Sequence, residues 1–281
     1  MSTRWFSSFA IVAGTAVLLL TAHARVGAIT YGSADTGNLF PNVGAFIVKA
    51  PATGHIFPIC SGTLIAPDVF LTASHCTAFF EHSLAPRGFT AWVSFDASIP
   101  FGALTTPATN LAMVVQVVTN PGYNQRQSDP GDIAVLLLSA QDTQGLVPAV
   151  LPAAGLLDAR AARRGLKGTV YPVVGYGVQD RVVGGGVPYF QDVNPVPRLY
   201  AVAAFDALTD AWLRLSQNPA TGNGGACFGD SGGPNFLIVD GVRTLVAITI
   251  TGDAVCRATN VAYRLDTASA RAFLAPFVVL P

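Results

Sequence analysis

The chain is short of charge. Lysine, arginine, aspartate and glutamate make up 11% of its 281 residues and cancel to a formal zero, where about 25% is usual for a soluble domain. No basic stripe exists to hold nucleic acid, which removes that class of partner. The densest positive cluster, Arg160-Ala161-Ala162-Arg163-Arg164, reads as a solvated connecting loop. A long apolar run is also missing. The stretch at residues 9–20 falls short of the roughly 20 residues that span a bilayer. It follows Arg4 and reads as the core of a secretory signal, with an uncleaved anchor as the minority alternative. No histidine pair has ligand spacing and the four cysteines lie far apart, so no zinc site and no cofactor is expected. No internal repeat is visible.

What is present suits an exported all-β protein. The length allows one large or two modest domains. Signal cleavage fits after Ala22-His23-Ala24, or more loosely after Val26-Gly27-Ala28. An even number of cysteines in an exported chain suggests disulfides, and the sequence leaves all three pairings open. Short β-type runs separated by turn residues dominate, at 45–48, 69–72, 91–95, 113–118, 133–138, 170–174, 199–203 and 245–250. Two barrels fit, one over 29–150 and one over 168–265, joined by a linker at 151–167. Asp266-Thr267-Ala268-Ser269 reads as the cap of a C-terminal helix running from Ala270, within a tail at 266–281.

The chemistry concentrates in Gly229-Asp230-Ser231-Gly232-Gly233-Pro234. A serine on a glycine-walled turn is a weak nucleophile until a base and an oxyanion pocket accompany it. The hexapeptide also satisfies the G-x-S-x-G elbow of α/β-hydrolases, but those place the acid and the histidine after the serine and follow it with a helix. Here no histidine follows Ser231, and residues 236–239 are β-type. The candidate base and acid lie upstream: His75 in Leu71-Thr72-Ala73-Ser74-His75-Cys76, and Asp132 opening an apolar run. The other two histidines outside the signal, His55 and His82, sit in loop-like sequence and are expected to be exposed.

In that order, His75, Asp132, Ser231, the chain resembles the chymotrypsin/trypsin-like serine proteases. Cys60-Ser61-Gly62-Thr63-Leu64-Ile65, Ala73-Ser74-His75-Cys76, Asp132-Ile133-Ala134, Val174-Gly175-Tyr176-Gly177 and the Ser231 hexapeptide all carry the likeness, which spans 29 to about 265. The resemblance implies two six-stranded antiparallel β-barrels with the active site between them. It selects the disulfides Cys60–Cys76 and Cys227–Cys256. It makes Ser231 the nucleophile, His75 the base and Asp132 its orienting acid, with the N–H groups of Gly229 and Ser231 as the oxyanion hole. It also gives the buried Asp230 a partner, the ammonium of a new N-terminus at Ile29. The residue before Ile29 is Ala28 and not a basic one, so signal cleavage after Ala28 would release the active form directly. Cleavage after Ala24 would instead leave a four-residue propeptide.

Specificity follows by the same resemblance. Gly225 takes the place at the base of the primary pocket, followed by Ala226. No acid stands there, so cleavage after basic residues is not expected. Thr251 and Val261 are expected in the pocket wall, making it shallow and suited to small aliphatic side chains, with large apolar or aromatic ones as the alternative. Thr249 is expected to bond the Asp132 carboxylate, and Ile250 replaces a usual tryptophan. A Gly- and Pro-rich insertion at 178–197 reads as a surface loop. The expected protein is a secreted monomeric endopeptidase acting on polypeptides and open to protein inhibitors. A catalytically silent binding protein on the same scaffold, an esterase and a narrow-specificity protease are the competing readings.

Overall fold

The computed structural model describes residues 29–100, 110–125, 128–178 and 194–281, with the backbone of 181–182 and 189–190. The expected signal at 1–28 and the middle of the expected insertion at 178–197 lie outside the described residues. Six strands form the first barrel: β1 (Val43–Lys49), β2 (Ile56–Ala66), β3 (Val69–Thr72), β4 (Thr90–Ser94), β5 (Leu111–Thr119) and β6 (Ala134–Leu138). They pair antiparallel in the order β1-β2-β3-β6-β5-β4, and β4 returns to β1 to close the ring. Six more form the second: β7 (Val170–Gly175), β8 (Leu199–Leu208), β9 (Trp212–Ser216), β10 (Pro234–Val239), β11 (Val242–Gly252) and β12 (Thr259–Arg264). Their order is β7-β8-β9-β12-β11-β10, closed through β10 and β7. Counted from each first strand, the two orders are the same. The fold thus repeats a topology that the sequence does not repeat.

Local sequence explains the strand types. In β9, Leu213 and Leu215 are buried while Arg214 between them is exposed, the period of two that a one-sided strand requires. From Val43 to Val48, β1 is buried throughout, and its unbroken small and apolar run matches burial on both faces. The β-type runs of the sequence fall within strands to within a residue, but β2, β9 and β12 were not among them. Arg214 interrupts β9, and Asn260 and Arg264 interrupt β12. The expected helix is present as Ala268–Leu274, and the Thr267 hydroxyl caps it by accepting from the Ala270 N–H at 3.2 Å.

The apolar interior does not respect the division into barrels. One buried cluster runs from Phe46, Phe70 and Val135 of the first barrel through Tyr176, Phe236 and Ile248 to Leu274 of the C-terminal helix. The barrel interface is therefore part of the core, which fixes how the two halves sit. Two further findings depart from the sequence reading. Residues 29–35, expected to open the first barrel, lie on the second. Ile29 is buried among Tyr171, Leu213 and Leu215, Thr30 bridges to Gly225, and Ser33–Ala34 pairs with Leu199 and Tyr200 of β8. The connecting segment, expected to be loop, contains the helix Leu156–Ala162, with Arg160 in its last turn. Leu157 anchors it in the core, and its N–H donates to Asp266 Oδ2 at 2.8 Å.

One buried ion pair ties the N-terminal segment to both barrels. Arg198 and Asp35 have fully buried side chains and meet at 2.8 Å. The same guanidinium donates to the carbonyls of Val43 and Phe95 in the first barrel and to Asn38. Removing one member of such a pair leaves a buried charge alone, typically at a cost of about 3–5 kcal/mol, whereas removing both costs less. Arg198→Met is expected to lower equilibrium stability to denaturant by that order. The double variant with Asp35→Leu should recover part of the loss. A single-variant loss below about 1 kcal/mol would contradict this role.

Candidate active site

His75 is the second residue of the short helix Ser74–Phe79, whose N-cap residue Ala73 offers no side-chain hydrogen bond. The free N–H groups of its first turn need acceptors from elsewhere. Asp132 supplies one. Its Oδ1 accepts the His75 backbone N–H at 2.9 Å, and its Oδ2 accepts from His75 Nδ1 at 2.8 Å. One carboxylate thus fixes both the start of the helix and the plane of the ring. With Nδ1 donating to a carboxylate, the neutral ring keeps its lone pair on Nε2. Ser74 holds the acid's strand in place, donating to the Ile133 carbonyl at 2.7 Å and accepting from the Asn120 N–H at 3.2 Å.

Ser231 and His75 line one cleft of about 230 Å³ at the junction of the barrels. The serine turn is tightly bonded. Asp230 N–H donates to the Cys227 carbonyl at 3.1 Å, Gly232 N–H to Thr249 at 2.7 Å, and Gly233 N–H to Asp230 at 2.8 Å. Among the described residues, the N–H groups of Gly229 and Ser231 have no protein acceptor. They leave two donors beside the serine hydroxyl, the arrangement that stabilises developing negative charge on a carbonyl oxygen. The disulfides are Cys60–Cys76, next to His75, and Cys227–Cys256, at the serine turn. The sulfurs near His75 are bonded to each other and so are no metal ligands.

The family model described as Trypsin matches residues 29–272. The chain belongs to the trypsin-like serine protease family. Its members are serine-type endopeptidases that cleave polypeptides, some inactive members excepted.

Against that family, Asp230 is completely buried. Its Oδ1 accepts from Gly177 N–H and its Oδ2 from Cys227 N–H, each at 2.8 Å. The glycines of Val174-Gly175-Tyr176-Gly177 are explained by this carboxylate, because a Cβ at either glycine would overlap it. Burial pushes the Asp230 carboxyl up to about 7, and the two N–H groups pull back only part of that.

Ala226, Thr249, Ile250 and Thr251 line the cleft. Ile250 is the extra residue of a bulge, because the register steps from Thr249↔Ala262 to Thr251↔Val261. Three expectations fail. Gly225 does not line the cleft, since the Gln217 side chain is packed against it. Val261 faces a different cavity with Trp212 and Arg214. Thr249 Oγ1 accepts from Asn235 Nδ2 at 3.1 Å, and Asp132's partners are the two groups of His75. The pocket is also not free of acid, because Asp253 stands on its wall. Of the histidines, His82 is exposed but helical, and His55 is half-buried.

Sequence reading missed residues that carry much of the geometry. Ser61 Oγ donates to the Gly229 carbonyl and accepts from Tyr176 N–H, both at 3.0 Å, while Ser61 N–H donates to the Ser231 carbonyl at 2.9 Å. Ser61 and Thr63 are hydroxyls inside an otherwise apolar strand, and that was the available signal. Asp129, three residues before Asp132, accepts from Tyr263 of β12 at 2.8 Å and from Ser269 of the C-terminal helix at 2.7 Å. That clamp joins the loop bearing the acid to the second barrel.

The Asp230 environment predicts a pH effect. The folded chain, with Ile29 still bonded to Ala28, holds the Asp230 proton more tightly than the unfolded chain does. Stability should then be greatest below about pH 4 and decline as pH rises through about 7, at a limiting slope of about 1.4 kcal/mol per pH unit. Denaturant titrations of this form against Asp230→Asn should show the slope only with the aspartate. Equal slopes would contradict the assignment.

Proposed function

We propose that the protein is a secreted serine endopeptidase working through an acyl-enzyme on Ser231. Ser231 Oγ attacks the scissile carbonyl carbon as His75 Nε2 takes the hydroxyl proton. The tetrahedral oxyanion is received by the N–H groups of Gly229 and Ser231. When the C–N bond breaks, His75 gives its proton to the leaving amine. Water, deprotonated by the same imidazole, then releases the acid and restores the serine. Asp132 holds the ring in the tautomer this needs and stabilises the cation. The observation that carries the reading is a single arrangement: the His75–Asp132 pair opens onto the cleft that holds Ser231 beside two unpartnered N–H groups. These role assignments are borrowed from this family's own triad, the best-studied example of the chemistry.

Export is supported by the apolar stretch at 9–20 and by two disulfides. The mature chain is proposed to begin at Ile29. Ile29 has a backbone φ of +70°, a conformation in which a β-branched residue is a genuine outlier. Cutting the Ala28–Ile29 bond removes that constraint and creates an ammonium for the buried Asp230 carboxylate. For a small aliphatic residue ahead of the scissile bond, Thr251 on the cleft wall remains as support, while Val261 faces another cavity and Asp253 adds an acid to the wall.

One experiment on the secreted protein tests the reading. A fluorophosphonate probe should label Ser231, and Edman sequencing of the labelled chain should begin Ile-Thr-Tyr-Gly. Ser231→Ala should abolish labelling, and His75→Ala should lower kcat by about 10⁴–10⁶, the range typical of triad residues. Absence of labelling would overturn the enzyme assignment, and a stable active form beginning at Arg25 would overturn the ion pair.

A further inference from the structure

A second cavity, of about 590 Å³, is lined by the loop that carries Asp132 and by the C-terminal helix with the residues just after it. Its volume is in the range of small-ligand sites. Part of the lining is apolar. Phe273 and Phe277 lie four residues apart and set their rings 5.6 Å from each other, tilted by 52°. The polar part includes Asp129 and Gly131 of the acid's loop, Tyr263 of β12 and Ser269 of the helix. Asp129 is the one charged residue in the lining.

Asp129 is half-buried and held in place, but its charge is not neutralised. Its Oδ1 accepts from the Tyr263 hydroxyl at 2.8 Å and from the Gly131 N–H at 3.1 Å, and its Oδ2 accepts from the Ser269 hydroxyl at 2.7 Å. A carboxylate offers about four acceptor positions, two on each oxygen. Among the described residues, Oδ2 therefore keeps one open. All three donors are uncharged, and among the described residues no cationic side chain pairs with Asp129. Tyr263 stays a neutral donor. Burial is the main cause that holds its proton well above the ordinary phenol range, and the carboxylates of Asp129 and Asp132 add to it. Asp132 acts on the same phenol, so the polar part of the cavity is within electrostatic reach of the proposed catalytic acid.

We propose that this cavity binds a small organic ammonium ion, with its apolar body against Phe273 and Phe277 and its N–H donors on Asp129 Oδ2. The charge in the lining is of one sign. A neutral ligand of the same shape would cover Asp129 without pairing it, and an anion would be repelled. The faces of the two rings also favour a cation over a neutral group. The site is coupled to the acid. Asp129 lies three residues before Asp132. Gly131, between them, lines the cavity, and its carbonyl accepts from Asn120 Nδ2 at 3.0 Å. A ligand that bonds Asp129 while packing on the helix adds to the join that Ser269 already makes. Binding then holds the loop, and Asp132 with it, more firmly against the second barrel. This effect on catalysis rests on the peptidase reading given above, whereas binding itself does not.

The test compares phenethylammonium with the neutral phenethyl alcohol and the anion hydrocinnamate on the secreted protein, by calorimetry and thermal melting. The ammonium should bind and raise Tm by about 3 °C at about ten times its Kd. The alcohol and the anion should not bind at that concentration. Asp129→Asn should lose ammonium binding. Ala272→Trp, at an exposed position of the helix that lines the cavity, should lose it as well by filling the space with Asp129 intact. With the ammonium bound, fluorophosphonate labelling of Ser231 should be faster, and both variants should lack the gain. Alcohol that binds as tightly as the ammonium would overturn the site. So would ammonium binding that survives both substitutions, or slower labelling that persists in both variants, which would put the ammonium in the catalytic cleft. Binding that leaves the labelling rate unchanged would overturn the coupling. Protein that binds the ammonium but never labels would overturn the peptidase reading and leave the site standing.

Discussion

The serine turn is held from the opposite barrel. Ser231 belongs to the second barrel, yet its carbonyl accepts from Ser61 of β2, and the Ser61 hydroxyl fixes the carbonyl of Gly229 two residues earlier. The same hydroxyl takes the N–H of Tyr176, in the motif that encloses Asp230. Three pieces of backbone around Ser231 therefore bond to one residue of the first barrel. His75 and Asp132 sit on that same barrel. The distance between the proposed base and the proposed nucleophile is then set locally across the interface, not through the full length of each barrel. Preorganised donors are effective because they need no rearrangement as charge develops, and Ser61 adds a hold from the first barrel to the bonds the serine turn makes within its own.

The interface tolerates little movement because it is continuous core. Tyr176, Phe236 and Ile248 pack into the same cluster as Phe46 and Val135. Polar links then fix the register at its edges. Arg198 reaches the N-terminal segment and the first barrel, and Asp129 ties the acid-bearing loop to Tyr263 and Ser269. Buried polar groups with satisfied partners specify one arrangement more sharply than apolar contact does. The C-terminal helix belongs to this system, since Ser269 lies within it and Leu274 enters the shared core.

Much of this was legible in the sequence where a local pattern carried it. The order of His75, Asp132 and Ser231 excluded a helix-backed elbow, and the β-type runs at 69–72 and 133–138 match β3 and β6 to within a residue. The disulfide pairing followed the family resemblance. What stayed hidden depended on residues brought together from distant segments. Ser61 and Gly229 are 168 residues apart, and Gln217 and Asp253 are 36 apart. Looking for an acid at Gly225 assumed that a pocket's charge must come from its base. Asp253 reaches the wall from a turn, held by backbone N–H groups that no spacing rule exposes. Residues 29–35 were assigned to the nearest barrel in sequence, whereas Ile29 is buried in the other. The repeated strand order of the two barrels was invisible for the same reason: topology persists where side-chain identity does not.

The central claim is that the serine turn works because the first barrel holds it. The direct measurement is the pre-steady-state acylation rate of Ser61→Ala with a chromogenic ester, followed by stopped flow alongside substrate affinity and thermal stability. The account predicts acylation slower by about 10–10³, in line with a disturbed oxyanion site, with substrate affinity nearly unchanged and restoration by Ser61→Thr where its hydroxyl can reach Gly229. Acylation at the wild-type rate, in a variant that has lost the Gly229 bond, would show that the turn holds itself and would contradict the account.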